Sequence, residues 1–350
     1  MKSNIKKHKN CKRIVDVKLP ADKVKGEFDK VYEGIKKVAS VPGYRVGKAP
    51  RDLLERHYAK AAREEVMKKL VPDTYREILE EHKLDPIGYP DISDVKLDVD
   101  GGFSYTASIE TRPEFSLKNY KGLRLKKKKI EIKEEDVEKN LEALREAHAQ
   151  QVPKKDSEEK EKVVPKLDDT FAKDLGLENL EKLKEAIRQS LRERLEQDVQ
   201  ADLDAQVINQ LVDSMNFEVP ESLVNAEKER LVKDASSRIA YMQAIQNKHN
   251  PDKKFELSDK DKKELEENAG KQALRQVKAF FILDKIAQAE KIHIKQEDMD
   301  KYIEGMAAQY KKTAKEVMSH LEENNMLDEI AVNMRNKKVM EFLLKEAKVS

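Results

Sequence analysis

The sequence predicts an α+β N-terminal domain followed by a mainly α-helical, elongated C-terminal domain, and three observations carry that expectation. Eight of the eleven Gly and seven of the eleven Pro lie before residue 123, so the residues that interrupt helices are concentrated in the first third. The alternating apolar runs that suit strands fall mostly in the same part. Beyond Pro165 the apolar residues recur at helical spacing, with Pro220 and Pro251 the only later prolines.

Taken in order, Ile14, Val15, Val17 and Leu19 predict a strand that ends at Pro20. Met1 to Asn10, basic and sparse in apolar residues, is expected to be a mobile tail. Phe28, Val31, Tyr32, Ile35 and Val38 mark one face of a helix. A loop follows, and then a long helix from about Arg51 to Lys83. Strands are predicted at Ile92 to Val99 and Phe103 to Glu110, joined by the hairpin-type turn Asp100-Gly101-Gly102. This first domain, 1–115, is complete by Phe115. Residues 116–165 read as an extended arm and linker. Lys126-Lys127-Lys128-Lys129 falls in that arm and suits a solvated face better than a nucleic-acid patch, Glu134 to Gln151 suits a polar helix, and Lys154 to Lys162 has no apolar anchors and is expected to be flexible.

Residues 166–350 form the helical C-terminal domain. Leu183, Ile187, Leu191, Leu195, Val199, Leu203, Val207, Leu211 and Met215 recur every four residues. Each such step overshoots a full turn by about 40°, so the stripe winds around the helix and must meet different neighbours at successive turns. That predicts a spine, with Leu195 in an interface, and an open scaffold in preference to a tight bundle. Pro220 opens a helix to about Asn247, and Ser258 with Asp261 caps another to about Glu290. Helices near Gln296 to Tyr310, Thr313 to Glu323 and Met326 to Lys345 complete the chain, without a convincing repeat.

Charged residues make up 39% of the chain and apolar residues 38%, which implies a large surface for the core available. The net charge of +2 conceals an asymmetry: residues 1–60 carry 17 Lys/Arg against 7 Asp/Glu, so the remainder is acidic. A basic head on an acidic body suits contact with a polyanion through the head alone. Cys11 is the single cysteine, which excludes an internal disulfide. No secretory h-region and no run of about 18 apolar residues is present, so a cytoplasmic protein without membrane contact is expected. The histidines are dispersed, His8 with Cys11 being the one close pair, and neither a metal site nor any catalytic constellation is expected. Gly43 to Lys48 departs from a P-loop in its spacing and in Ala49, where Ser or Thr would bind magnesium. No cofactor is expected.

The most informative stretch is Pro42-Gly43-Tyr44-Arg45-Val46-Gly47-Lys48-Ala49-Pro50. Two prolines bracket it, two glycines free its backbone, and an aromatic and two cations lie between them. Such a tip suits an anionic surface such as RNA, where guanidinium groups meet phosphates or stack on bases. Gly43-Tyr44-Arg45-x-Gly47-Lys48-x-Pro50, with Leu53-Leu54 after it, resembles the ribosome-docking motif of trigger factor, the bacterial ribosome-associated chaperone. Val46 departs from the Lys or Pro common at that position and removes a cation. Residues 12 to 115 resemble the family's tail-binding domain and about 166 to 347 its helical chaperone domain, with Phe217-Glu218-Val219-Pro220-Glu221-Ser222-Leu223-Val224 as a landmark.

The resemblance implies an ATP-independent chaperone that docks on the large ribosomal subunit near the exit tunnel and shields nascent polypeptides. Gly43, Tyr44, Arg45, Val46, Gly47, Lys48 and Pro50 would contact ribosomal RNA and protein, and a homodimer would be conceivable off the ribosome. Relatives carry an FKBP-like prolyl isomerase domain where this chain has the 15 residues Val152 to Lys166, and no aromatic lies between Tyr120 and Phe171. A short form without that enzyme is therefore expected. Eight of ten methionines lie at or beyond Met215, and Met215, Met242, Met306, Met318 and Met334 are candidates for client contact, although methionines more often fill helix interfaces. The rival readings are a trigger-factor-type isomerase, a periplasmic chaperone of similar helical type, and an RNA-binding structural protein using the basic head alone.

Overall fold

Backbone pairing begins earlier than the sequence pattern suggests. Lys2–Lys7 form a strand, β1, where a mobile tail is expected. Ser3 and Ile5 lie opposite Val17 and Val15, and Met1 and Ile5 pack against the core. Two apolar residues among lysines are a weak signal in sequence, yet they suffice once a neighbouring strand offers its edge. The protein is described from a computed structural model, in residues 1–9, 11–153, 160–246 and 258–350.

The other expected elements of the first part follow: β2 (Lys12–Leu19), α1 (Ala21–Val38), α2 (Arg51–His82), β3 (Asp91–Asp98) and β4 (Gly102–Glu110). Then come β5 (Arg124–Leu125), α3 (Glu134–Ala147), an antiparallel pair β6 (Gln150–Pro153) and β7 (Lys160–Val163), α4 (Asp169–Asp174) and α5 (Leu180–Ser214). The chain continues with α6 (Glu221–Gln246), α7 (Asp259–Ala289), α8 (Gln296–Tyr310), α9 (Ala314–Glu323), α10 (Leu327–Glu346) and β8 (Lys348–Val349). The expected helix Glu134 to Gln151 thus stops at Ala147, because Gln150 onward pairs as a strand. Most of the segment expected to be flexible, Lys154 to Glu159, lies outside the described residues.

Two compact units result, and neither matches a boundary at 115 or 165 alone. One comprises residues 1–116 and 216–281; the other comprises 117–215 and 282–350. In the first unit the sheet runs β1-β2-β4-β3, antiparallel throughout. Val15, Val17, Leu19, Phe103, Tyr105, Ala107 and Ile109 alternate onto one face, where Val24, Phe28 and Val31 of α1 and Leu54, Val66 and Ile78 of α2 cover them. Gly102 is required at the β4 start: its φ is +95°, and a Cβ there would come within 2.4 Å of the Leu19 carbonyl oxygen.

Helix α2 passes straight through Pro72, which lacks the N–H that an interior turn needs. Two residues on, the buried Thr74 hydroxyl lies 2.6 Å from the Leu70 carbonyl and 2.8 Å from the Tyr105 hydroxyl, which ties the weakened turn to β4. The Phe217–Ser222 landmark closes the unit. Phe217 stacks on Phe115 with ring centroids 4.0 Å apart, Ser222 N–H donates to Glu110, and the Cys11 thiol donates to the Glu218 carbonyl at 3.2 Å.

In the second unit, α5 behaves as a spine. Leu183 and Ile187 join a cluster with Leu141 of α3 and Phe171 and Ala172 of α4, while its later turns meet β5 and α10. The later part of the stripe is buried at Val199, Leu203, Val207 and Leu211. Leu191 and Leu195 remain half-buried, so the expected interface at Leu195 is only partial. Helix α9 begins with the reciprocal cap of Thr313 and Glu316, in which the Thr313 hydroxyl accepts from Glu316 N–H and the Glu316 carboxylate accepts from Thr313 N–H.

These burials set an expected ranking. Leu211→Asp, at a position 1% exposed, should cost about 3 kcal/mol or more, and Leu195→Asp well under half as much. Urea unfolding followed by circular dichroism checks it, and equal losses would contradict the burial pattern.

Candidate functional site

The loop between α1 and α2 is built from two consecutive turns. Tyr44 N–H donates to the Val41 carbonyl at 3.0 Å, with Pro42 at the second position and Gly43 at the third, at φ +83°. Lys48 N–H donates to the Arg45 carbonyl at 2.9 Å, with Val46 second and Gly47 third, at φ +85°. Both have the type II pattern, which demands positive φ at the third residue. The glycines are therefore structural requirements of the tip, not spacers.

Buried residues hold the ends of this double turn. Val41 and Ala49 belong to the core of the unit, and the Tyr58 hydroxyl donates to the Ser40 carbonyl at 3.0 Å. Arg51 lies 4.0 Å from the centroid of the Tyr32 ring and pairs with Asp29 at 3.0 Å and Glu55 at 2.6 Å, which fastens the start of α2 to α1. Burial raises the Tyr32 phenol above its ordinary value, the Glu55 charge adds to the rise, and Arg51 opposes it. That ring is a support and stays neutral.

What projects between the anchors is a compact exposed surface. Tyr44 is 45% and Val46 54% exposed, and Arg45 and Lys48 are exposed without an ion pair among the described residues. Arg45 can contact phosphate in two directions at once, Lys48 supplies a point charge, and Tyr44 offers a stacking face. Val46, which lowers the charge relative to a lysine, adds an exposed apolar contact between the two cations. Gly43, Tyr44, Arg45, Val46, Gly47, Lys48 and Pro50 are thus brought together on one projection.

The candidate client-contact methionines separate into three settings. Met215 is buried, 3% exposed, so its own unit occupies its surface. Met242 is 58% exposed on α6, beside exposed Tyr241 and Ile245. Met306, Met318 and Met334 are half-buried around Ile303, Ala307, Val317, Leu321 and Ile330 of α8, α9 and α10, where they fill helix interfaces. Tyr241 and Ile245 flanking Met242 are the apolar residues that a search for methionine alone overlooks. Their one-and-four spacing in the α6 sequence is the signal that could have found them.

No group of three or more His, Cys, Asp or Glu capable of holding a metal occurs among the described residues, and His249 lies outside them. Cys11 has its thiol pushed up, first by burial and then by the Glu218 charge, which makes it a poor nucleophile. No helix among the described residues is long and apolar enough to cross a membrane.

Comparison with known proteins decides the family. Residues 1–144 match the family model of bacterial trigger factor protein, and residues 179–345 match that of the bacterial trigger factor C-terminus. The chain belongs to the trigger factor family. Trigger factor of Geotalea daltonii is 26% identical over an alignment covering 100% of this chain and 98% of that protein. That of Geobacter sulfurreducens is 26% identical, with 100% and 99% covered. A solved structure described as "Promiscuous Substrate Recognition in Folding and Assembly Activities of the Trigger Factor Chaperone" shares the fold, with a TM-score of 0.60 at 17% identity over 99% of this chain and 100% of that one. The role of this trigger factor is that of a ribosome-associated chaperone. The matched regions are chaperone parts, and between them lie only residues 145–178.

Gly43→Ala and Gly47→Ala each force a side chain into the left-handed region at a cost of about 1–2 kcal/mol. The expected outcome is faster amide exchange at Tyr44 or Lys48 with global stability lowered by no more than that strain, measured by hydrogen-exchange NMR.

Proposed function

We propose that this trigger factor docks beside the exit tunnel of the large ribosomal subunit through Tyr44, Arg45, Val46 and Lys48, and shields emerging polypeptides without ATP. The observation that carries this reading is the double turn: a pre-formed, anchored projection that presents two unpaired cations and an aromatic. Because the turns set the backbone before contact, little ordering entropy is lost on docking. Residues 1–115 supply the docking element, 116–165 the arm, and 166–350 most of the client surface, all in the cytoplasm. Clients are held by scattered apolar contacts, with Met242, Tyr241 and Ile245 on α6 and the margins of Met306, Met318 and Met334 as candidates. Contacts of that kind are individually weak, so a client can leave and fold.

Tyr44→Ala with Arg45→Ala should abolish most co-sedimentation with ribosomes while leaving the circular dichroism spectrum intact, and docking should weaken as salt rises. Val46→Lys should strengthen it modestly. Unchanged pelleting of the double variant would overturn the assignment. Cutting the chain at 116 divides the unit made of 1–116 and 216–281, so point substitutions separate the roles better than truncations.

The chain is also proposed to lack prolyl isomerase activity, since residues 145–178 leave no room for a domain of that kind between the matched regions. A proline-limited refolding assay at stoichiometric chaperone should show no acceleration. Any acceleration that survives exhaustive purification would contradict the proposal.

A further inference from the structure

A second cationic surface lies in the unit of residues 117–215 and 282–350, where the docking loop has no part. Strands β5 and β8 pair in parallel with Arg124 directly beside Lys348 and Leu125 beside Val349. Like charges placed opposite one another on neighbouring strands are destabilising. Leu125 is fully buried, so alternation puts Arg124 and Lys126 together on the outer face, about 7 Å apart along the strand. Lys348 is exposed beside Arg124, and Lys127 and Lys129 are exposed in the residues that follow the strand. None of these five cations has an ion pair among the described residues, whereas Lys128 is engaged by Asp202 at 2.7 Å.

The backbone of this ledge is held firmly, which makes the unpaired charges a property of the fold. Gln206 of α5 accepts from Lys126 N–H at 2.9 Å and donates to the Lys126 carbonyl at 2.8 Å, acting as one more strand residue. Gln210 donates to the Arg124 carbonyl at 2.7 Å. Lys348 N–H donates to the Leu123 carbonyl, Ser350 N–H to that of Leu125, and Lys127 N–H to Ser350 O. Asp202 of α5 is already committed: the Lys128 hydrogen bond, then that of Gln206, lowers its pKa. The bonds that fix the strand therefore leave its cations without a counter-charge.

We infer that the Arg124, Lys126, Lys127, Lys129 and Lys348 ledge is a binding surface for the phosphate backbone of RNA. A row of cations with no aromatic or amide side chain between them reads charge without sequence, which is the mode of phosphate-backbone recognition. The inference is independent of the loop, and its test removes the loop first.

In a Tyr44→Ala, Arg45→Ala background, binding of a 20-nucleotide single-stranded uridine RNA is followed by fluorescence anisotropy across a salt series. Arg124→Gln, Lys126→Gln and Lys348→Gln together should weaken binding about tenfold at low salt and reduce the salt slope by about 2. The equal charge change Lys301→Gln, Lys312→Gln and Lys315→Gln should leave both nearly unchanged. Equal losses in the two triple variants would mean that only net charge matters and would overturn the site. Lys348→Glu gives Arg124 an opposite neighbour, so it should weaken RNA binding while holding or raising Tm; a lowered Tm would make Lys348 structural and defeat the proposal. Displacement of the RNA by polyglutamate at equal charge concentration would also overturn it, since the surface would then suit acidic polypeptides.

Discussion

The rest of the structure depends on a shortage of apolar side chains. With as many charged residues as apolar ones, no single core can organise 350 residues, and burial is divided among local clusters. The sheet and its two helices form one large cluster, whereas α8, α9 and α10 gather around five buried residues. Directional bonds therefore take on a large share of the positioning. Two consecutive turns shape the loop between α1 and α2, a reciprocal cap starts α9, and Gln206 completes the edge of β5. Each such bond contributes only about 1 kcal/mol, but it fixes direction where apolar contact is thin.

This division explains which parts of the fold were legible. Strands β2, β3 and β4 and helix α2 carry strong alternation or helical spacing because they share one cluster, and their limits agree with the sequence pattern to within one or two residues, whereas α1 begins at Ala21, seven residues before the first apolar position of its expected stripe. The cap at Ser258 was equally legible, since capping is a local property of four residues. Strand β1 was not, because its one apolar residue, Ile5, is diluted by lysines on the open face. Strand β8 was invisible for a different reason: two residues carry no period, and their order comes from pairing with Arg124 and Leu125 more than two hundred positions away.

The turn geometry of the 42–50 loop was legible almost completely, and for a physical reason. Type II turns need glycine at one position, and a proline at the position before it pre-sets the backbone, so turn geometry is written directly in residue identity. What the sequence withheld was the support. Arg51 over Tyr32 and the Tyr58 hydroxyl on Ser40 join residues whose types are common on any helix, and only folding makes them partners. The methionines show the converse. Residue type alone grouped Met215 with Met242, yet one is buried and the other among the more exposed apolar residues of the chain.

The Phe217–Ser222 segment shows why head and body are poorly separated by a cut in sequence. Phe217 against Phe115 and Ser222 on Glu110 join residues about a hundred positions apart into one unit, so residues 216–281 fold with the part that carries the loop. A chaperone assembled in this way couples distant parts of its chain through stacking and hydrogen bonds that neither part can make alone. The same economy governs the second unit, where the last residues of the chain complete β5. In both cases a short distant segment supplies what a sparse core cannot, and the polar side chains left over at the surface, at the loop and at the β5 ledge, are free to meet a partner.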